Sequence, residues 1–204
     1  MNNYSIKKIK SKIGKEYIRS HHYSKSCHNG PQCYGLFESN NLIGVCAFAT
    51  PCSENVRASI FGPSFKDNII ELHRLFIQDG TPKNTESWFV SRVLKQLKAD
   101  RPEIYCVISF ADATEGHKGV IYQALNAHYY GTSPKATFYI DSNGSLRHPR
   151  QNGVNISLKE ANKRGWKPIK REGKYRYCWF LPNSIGHKKW IMANCKLKFM
   201  DYPK

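Results

Sequence analysis

The stretch from Ile104 to Ala124 constrains the fold more than any other part of this chain. A short β-branched and aromatic run, Ile104 to Phe110, leads into Asp112. A polar turn containing Gly116 and Gly119 follows, and then a helical pattern carrying Tyr122. A strand that feeds a helix through a short turn is half of a crossover, and crossovers belong with parallel strands. The strand end is rigid while the loop beyond it is open, so ligand chemistry collects there. An aspartate and a tyrosine so placed could act as proton acceptor, proton donor or oxygen ligands for a metal. The alternative is structural: Asp112 caps the next turn and Tyr122 packs in the core.

The flanking sequence extends the pattern. Cys33–Glu38 and Leu42–Thr50 read as a hairpin joined by Ser39-Asn40-Asn41, with Pro51 as its stop. Asn68–Gln78 reads as a strand with Ile70, Leu72, Arg74 and Phe76 on one face and Glu71, His73, Leu75 and Ile77 on the other. From Thr85 to Ala99, Phe89, Val90, Val93, Leu94 and Leu97 recur at helical spacing, and Pro102 ends the helix. The helix after Asp112 is expected to run to about His128, followed by strands Tyr129–Thr132 and Ala136–Ile140. Residues 5–20 look helical near their end and give way to a polar loop at His21. Beyond Asp141 only a helix, Leu158–Arg164, and a strand, Tyr175–Leu181, stand out. The order predicts an α/β (α+β) fold in which helices flank a mixed sheet. Residues 1–141 would form the core, and 142–204 a basic extension packed on it.

Charge is distributed unevenly. The chain carries +17 overall, with seven Lys/Arg against one Glu in residues 1–26 and fifteen against three acids in 142–204. The middle has ten bases and eleven acids. Basic flanks around a neutral centre point to a polyanion held at the edges of a catalytic or structural core. No amphipathic helix pairs the charge with an apolar face, which favours nucleic acid over a membrane surface. Lys163, Arg164, Lys167, Lys170, Arg171, Lys174 and Arg176, interleaved with Trp166, Tyr175, Tyr177 and Trp179, are the expected DNA contacts. In the structural alternative those four rings are core residues.

Seven cysteines without a Cys-x-x-Cys pair read as reduced thiols, and no second ligand pair completes a zinc site with Cys27, His28 and Cys33. No apolar run reaches the ~18 residues a membrane span needs. The lysine-rich start lacks the pattern of a signal peptide, so a cytoplasmic protein is expected.

The order hairpin, strand, turn, helix, strand, helix is similar to the core of the GCN5-related acyltransferase superfamily. Where that superfamily carries a glycine-rich pyrophosphate loop, this chain has Gln78-Asp79-Gly80-Thr81-Pro82-Lys83-Asn84, with Glu86 in the next turn. The departure argues against conventional acyl-CoA binding and leaves the donor open. Closer is the resemblance carried by His22-Tyr23-Ser24, by Glu71 to Ile77 with Pro82, Asn84 and Ser87, and by Phe110-Ala111-Asp112 through Gly131. Over residues 20–135 these resemble the Mom family of phage DNA-modification proteins, a divergent branch of the same superfamily. That resemblance implies addition of a carbamoylmethyl-type group to the exocyclic amine of adenine in DNA, as protection from restriction. It implies a site at His22, Tyr23, Asp112 and Tyr122, with iron as a candidate metal held by the same four, and donor contacts at Asn84 and Ser87. His117, Glu71 and His73 could serve the site or be structural. Two other readings stay open: a DNA-binding antirestriction protein without catalysis, and an acyl-CoA-dependent N-acyltransferase on another substrate.

Overall fold

The structure is a computed structural model and describes residues 3–151 and 154–204. Its strands are β1 (Tyr4–Ile9), β2 (Gln32–Glu38), β3 (Asn41–Ala49), β4 (Ile69–Ile77), β5 (Cys106–Asp112), β6 (His128–Thr132), β7 (Ala136–Ile140), β8 (Leu146–Arg147), β9 (Arg150–Gln151), β10 (Val154–Asn155), β11 (Lys167–Arg171) and β12 (Lys174–Phe180). Its helices are α1 (Ser11–His21), α2 (Glu54–Phe61), α3 (Thr85–Asp100), α4 (Val120–Ala124), α5 (Leu158–Lys163) and α6 (Ile185–Asn194). Seven strands form one mixed sheet in the order β1-β2-β3-β4-β5-β12-β6. The mixed sheet flanked by helices is the expected α/β architecture.

Helix α3 buries Phe89, Val90, Val93, Leu94 and Leu97 on one face of the sheet, the same residues its periodicity selected. The other face is covered by α1 through Ile18 and by α2 and α6 through Ile60, Phe61 and Ile191. Both faces of β5 are covered over its first four residues, which is why that strand reads as a near-continuous apolar run, whereas β4 carries partly buried Glu71, His73 and Arg74. Cys33, Cys46, Cys106 and Cys178 are buried, and all seven cysteines are free.

The helix read near the end of residues 5–20 is α1, Ser11–His21, and residues 4–9 before it form an edge strand against β2, with Tyr4 and Ile6 packed toward the core and lysines on the open edge. Three expectations are corrected. Helix α4 ends at Ala124, because Asn126 takes a left-handed conformation with φ of 53°. The faces of β4 also change along its length. Ala47 pairs with Arg74 but Phe48 pairs with Leu72, so His73 is an extra residue in a β-bulge. Ile70 and Leu72 thus share a core face with Leu75 and Ile77, while Phe76 packs toward α1 on the other side. Finally, the chain beyond 141 is no appendage to the sheet, since β12 lies inside it between β5 and β6. Tyr177 and Trp179 are core residues, Tyr175 packs on the same core, and Trp166 packs with buried Tyr139.

Among the described residues, β4 and β5 are the one parallel pair in this sheet, and they pair only from Ile69–Cys106 to Glu71–Ile108. The Ser109 hydroxyl donates to the Leu72 carbonyl at 3.0 Å. Past that tie the two strands part, and the sheet opens.

Candidate active site

The opening between β4 and β5 is a cleft of about 320 Å³. It is lined by His22 and Tyr23 from the end of α1, Glu71 to Leu75 from β4, Phe110 to Asp112 from β5, and Gly116 to Tyr122 from the following turn and helix. Lys174 of β12 closes one side. The four side chains expected to form a site are thus brought together from two distant stretches, residues 22–23 and 112–122.

Each is held differently. Helix α1 stops at His21, and the His22 amide still donates to the Ile18 carbonyl while its backbone turns extended. The His22 ring is buried, and its Nδ1 accepts the Ser24 amide N–H at 3.1 Å and lies 2.9 Å from the Ser24 hydroxyl. Burial, with Arg74 second, pushes its pKa down to about 4. At neutral pH the ring is uncharged; because Nδ1 accepts, Nε2 carries the proton. His22 therefore offers a hydrogen-bond donor and is not set up as a base. Tyr23 stacks on it with ring centroids 4.3 Å apart and stands half in solvent at the rim. Burial and then the neighbouring Asp112 raise the Tyr23 phenol above its ordinary value.

Asp112 combines both expectations made for it. One carboxylate oxygen caps the turn by accepting the Thr114 amide at 3.1 Å. The other accepts from the Arg171 guanidinium at 3.1 Å and lies 3.9 Å from Lys174 Nζ. Arg171 also binds Glu115 at 2.8 Å, so one arginine fastens the strand end to its turn. Tyr122 likewise packs on the core, against Tyr177 and Trp179, and still lines the cleft. Burial pushes its phenol up to about 12, with Ser109 pulling the other way. It stays protonated at neutral pH.

The residue missed from sequence is Arg74. Its guanidinium donates to the Ser26 carbonyl and hydroxyl, both at 2.9 Å, and to the His73 carbonyl at 2.7 Å. It thereby ties the His22 loop to β4, and among the described residues it makes no ion pair. A cleft-lining cation without a carboxylate partner favours an electron-rich ligand. The bulge at His73 put it here, and strict alternation hid it. Glu71 and His73 pair at 3.8 Å along the cleft wall, while His73 Nε2 accepts the His28 amide. His117 reaches the rim, its ring 5.9 Å from Tyr23.

Other expected site residues lie elsewhere. Asn84 and Ser87 sit at the start of α3 outside the cleft lining, where the Ser87 hydroxyl donates to the Asn84 carbonyl at 3.1 Å. Arg171 and Arg176 turn inward: Arg176 lies over the Tyr130 ring at 5.0 Å and donates to the Tyr130 carbonyl. Lys163, Arg164, Lys167, Lys170 and Lys174 are exposed. The iron expectation finds no support. Among the described residues no three His, Cys, Asp or Glu side chains gather as metal ligands, and Asp112 is already engaged by Arg171. Also among the described residues, no helix is long and apolar enough to cross a membrane.

Comparison with known proteins matches this geometry to a fold. An N-acetyltransferase from Staphylococcus aureus Mu50 superposes with a TM-score of 0.50 over 88% of this chain and 99% of its own, at 13% identity. A Salmonella typhimurium protein assigned as an acetyltransferase, solved with its cofactor acetyl-CoA, also gives 0.50, over 90% and 97%, at 10% identity. In sequence, the methylcarbamoylase Mom of Escherichia phage Mu is 30% identical across 98% of this chain and 83% of its own length. The Mom protein family model matches residues 3–204, and the chain belongs to that family.

Proposed function

We propose that this chain is a transferase that adds a carbamoylmethyl-type group to the exocyclic amine of adenine in DNA, as protection against restriction. The observation that carries the reading is the convergence of His22, Tyr23, Asp112 and Tyr122 with Arg74 in one cleft where the sheet opens. A protein that only occupied DNA would have no use for that gathering. The family match and the phage relative's name, a methylcarbamoylase, support a group-transfer reading.

The adenine amine is a poor nucleophile, because its lone pair is delocalised into the ring. Orientation and charge stabilisation must supply the rate. Asp112, held by Arg171, accepts a hydrogen bond from the amine, aims it, and takes its proton as the new bond forms. The Nε2–H of neutral His22 and the guanidinium of Arg74 polarise the carbonyl of the incoming group. Tyr122, protonated at neutral pH, gives a proton to the departing group. The new bond joins the adenine nitrogen to the methylene carbon of the incoming group, so the donor carries its leaving group on that carbon; transfer from the carbonyl of an acyl-CoA would give an amide instead. Pro82 and Glu86 likewise make the turn before α3 poorer in amides and more negative than a glycine-rich pyrophosphate loop. The base must leave the duplex, at a cost of a few kcal/mol. Exposed cations at Lys163, Arg164, Lys167, Lys170 and Lys174 would offset that cost by gripping phosphates.

Mass spectrometry of nucleosides from cells expressing the chain tests this directly. Modified adenine is expected with the native chain and should vanish with Asp112→Asn, which keeps the shape and the cap but loses the charge. Unmodified DNA with the native chain, or normal modification by soluble Asp112→Asn, defeats the reading.

A further inference from the structure

The lip of the cleft carries an apolar side chain with no partner in the fold. Val120, the first residue of α4, is 71% exposed, although it lines the cleft with Tyr122. A single exposed valine is ordinary on a protein surface. This one is unusual in how firmly it is held and in what surrounds it. Gly116 and Gly119 both take left-handed φ, at 73° and 74°, and turn the chain into α4. A Cβ on Gly119 would lie 2.5 Å from the ring of Tyr177, a fully buried core residue. The Tyr177 hydroxyl donates to the Lys118 carbonyl, and the Gln123 amide donates to that same carbonyl at 3.0 Å and to Tyr177 Oη at 3.1 Å. The lip is thus clamped to the core immediately before the residue it presents to solvent.

Its neighbours are cationic and aromatic. Lys118 and Lys174 line the same cleft, and Tyr23, 56% exposed, stands on its rim. Fixed cations beside a rigid apolar prong suit a polyanion whose interior is a stack of flat apolar rings. Proteins that unstack DNA insert an aliphatic wedge of this kind between base steps. Enzymes that act on a base must extrude it from the duplex first.

We propose that Val120 is the wedge that enters the duplex and fills the space vacated by the extruded adenine. Tyr23 receives the extruded base across the cleft. The inference rests on the DNA reading above. It makes Val120 a positioning residue, required when the target is stacked and dispensable when it is already unpaired.

The test uses the full chain with two probes: a duplex carrying 2-aminopurine opposite thymine, and the same duplex with the 2-aminopurine as an unpaired bulge. The native protein should raise 2-aminopurine fluorescence on the paired duplex. Val120→Ser should lose that rise, yet bind both probes with the native salt slope and bind the bulge as the native protein does. Val120→Leu, which restores an apolar prong, should restore the rise. Extrusion by Val120→Ser equal to the native protein overturns the proposal, as does a native protein that binds the paired duplex without extruding the base. If the native protein binds neither probe, the DNA reading itself falls, and the wedge with it.

Discussion

The two parallel strands each end in a turn that leads to a helix, and the two turns are built for different work. After β4, residues 78–84 run along the surface. Their Gly80, with φ of 86°, has open space where a Cβ would go, and Asn84 enters α3 left-handed with no side-chain cap. After β5, residues 113–119 are fastened at both ends: Arg171 grips Asp112 and Glu115, and Tyr177 holds the peptide before Gly119. This second turn forms a wall of the cleft. Local sequence marks both as polar glycine turns, so what separates them is the set of distant residues that packs on each.

The sharpest break in that comparison is a single methyl group. Gly119→Ala would meet the Tyr177 ring and impose left-handed strain. It should cost roughly 2–5 kcal/mol, combining overpacking with the αL penalty. Gly80→Ala meets nothing and should cost only about 1–2 kcal/mol. Thermal melts should separate the two by several degrees. Equal melting temperatures would mean that the clamp on the second turn is not rigid.

The cleft should also respond to acid in a way the first turn, which carries no histidine, does not. The folded pKa of His22 lies below its unfolded value. Its contribution is therefore present above about pH 6.5 and is lost as pH falls toward about 4. The loss should be up to about 3 kcal/mol. Urea midpoints at neutral pH and near pH 4 should fall less for His22→Gln than for the native chain; parallel declines would remove His22 from that account.

The smallest effect is expected at the first turn itself. Asn84→Ala and Ser87→Ala lie outside the cleft and should change modified adenine by less than about threefold, under ~1 kcal/mol of transition-state energy. A tenfold fall in either variant would show that the donor rests on this turn, and would make the two turns partners.

Much of the frame was legible in the chain. Apolar spacing located α3, the short polar connection Ser39-Asn40-Asn41 located the β2–β3 hairpin, and the run into Asp112 announced a strand that feeds a turn. The His22-Tyr23 pair and the Asp112 to Tyr122 segment carried the resemblance that named all four cleft residues. The roles of individual basic residues were not legible. Lys170 and Arg171 are adjacent and equally charged, yet one faces solvent and the other holds Asp112.

Sequence by itself determined what is local: which segments bury an apolar face, where turns must break them, and which side chains carry protons. Those properties follow from side-chain shape and the helical or extended period of the backbone. Only the tertiary structure decided where β4 and β5 part, because a bulge at His73 depends on the register of a neighbouring strand. It alone set the burial that raises the Tyr122 phenol and lowers the His22 imidazole, since desolvation is imposed by residues far away in the chain. It alone turned Arg74 into the cleft and Arg171 onto Asp112. A residue's chemistry is written in its own side chain; its function here comes from the company that packing brings to it.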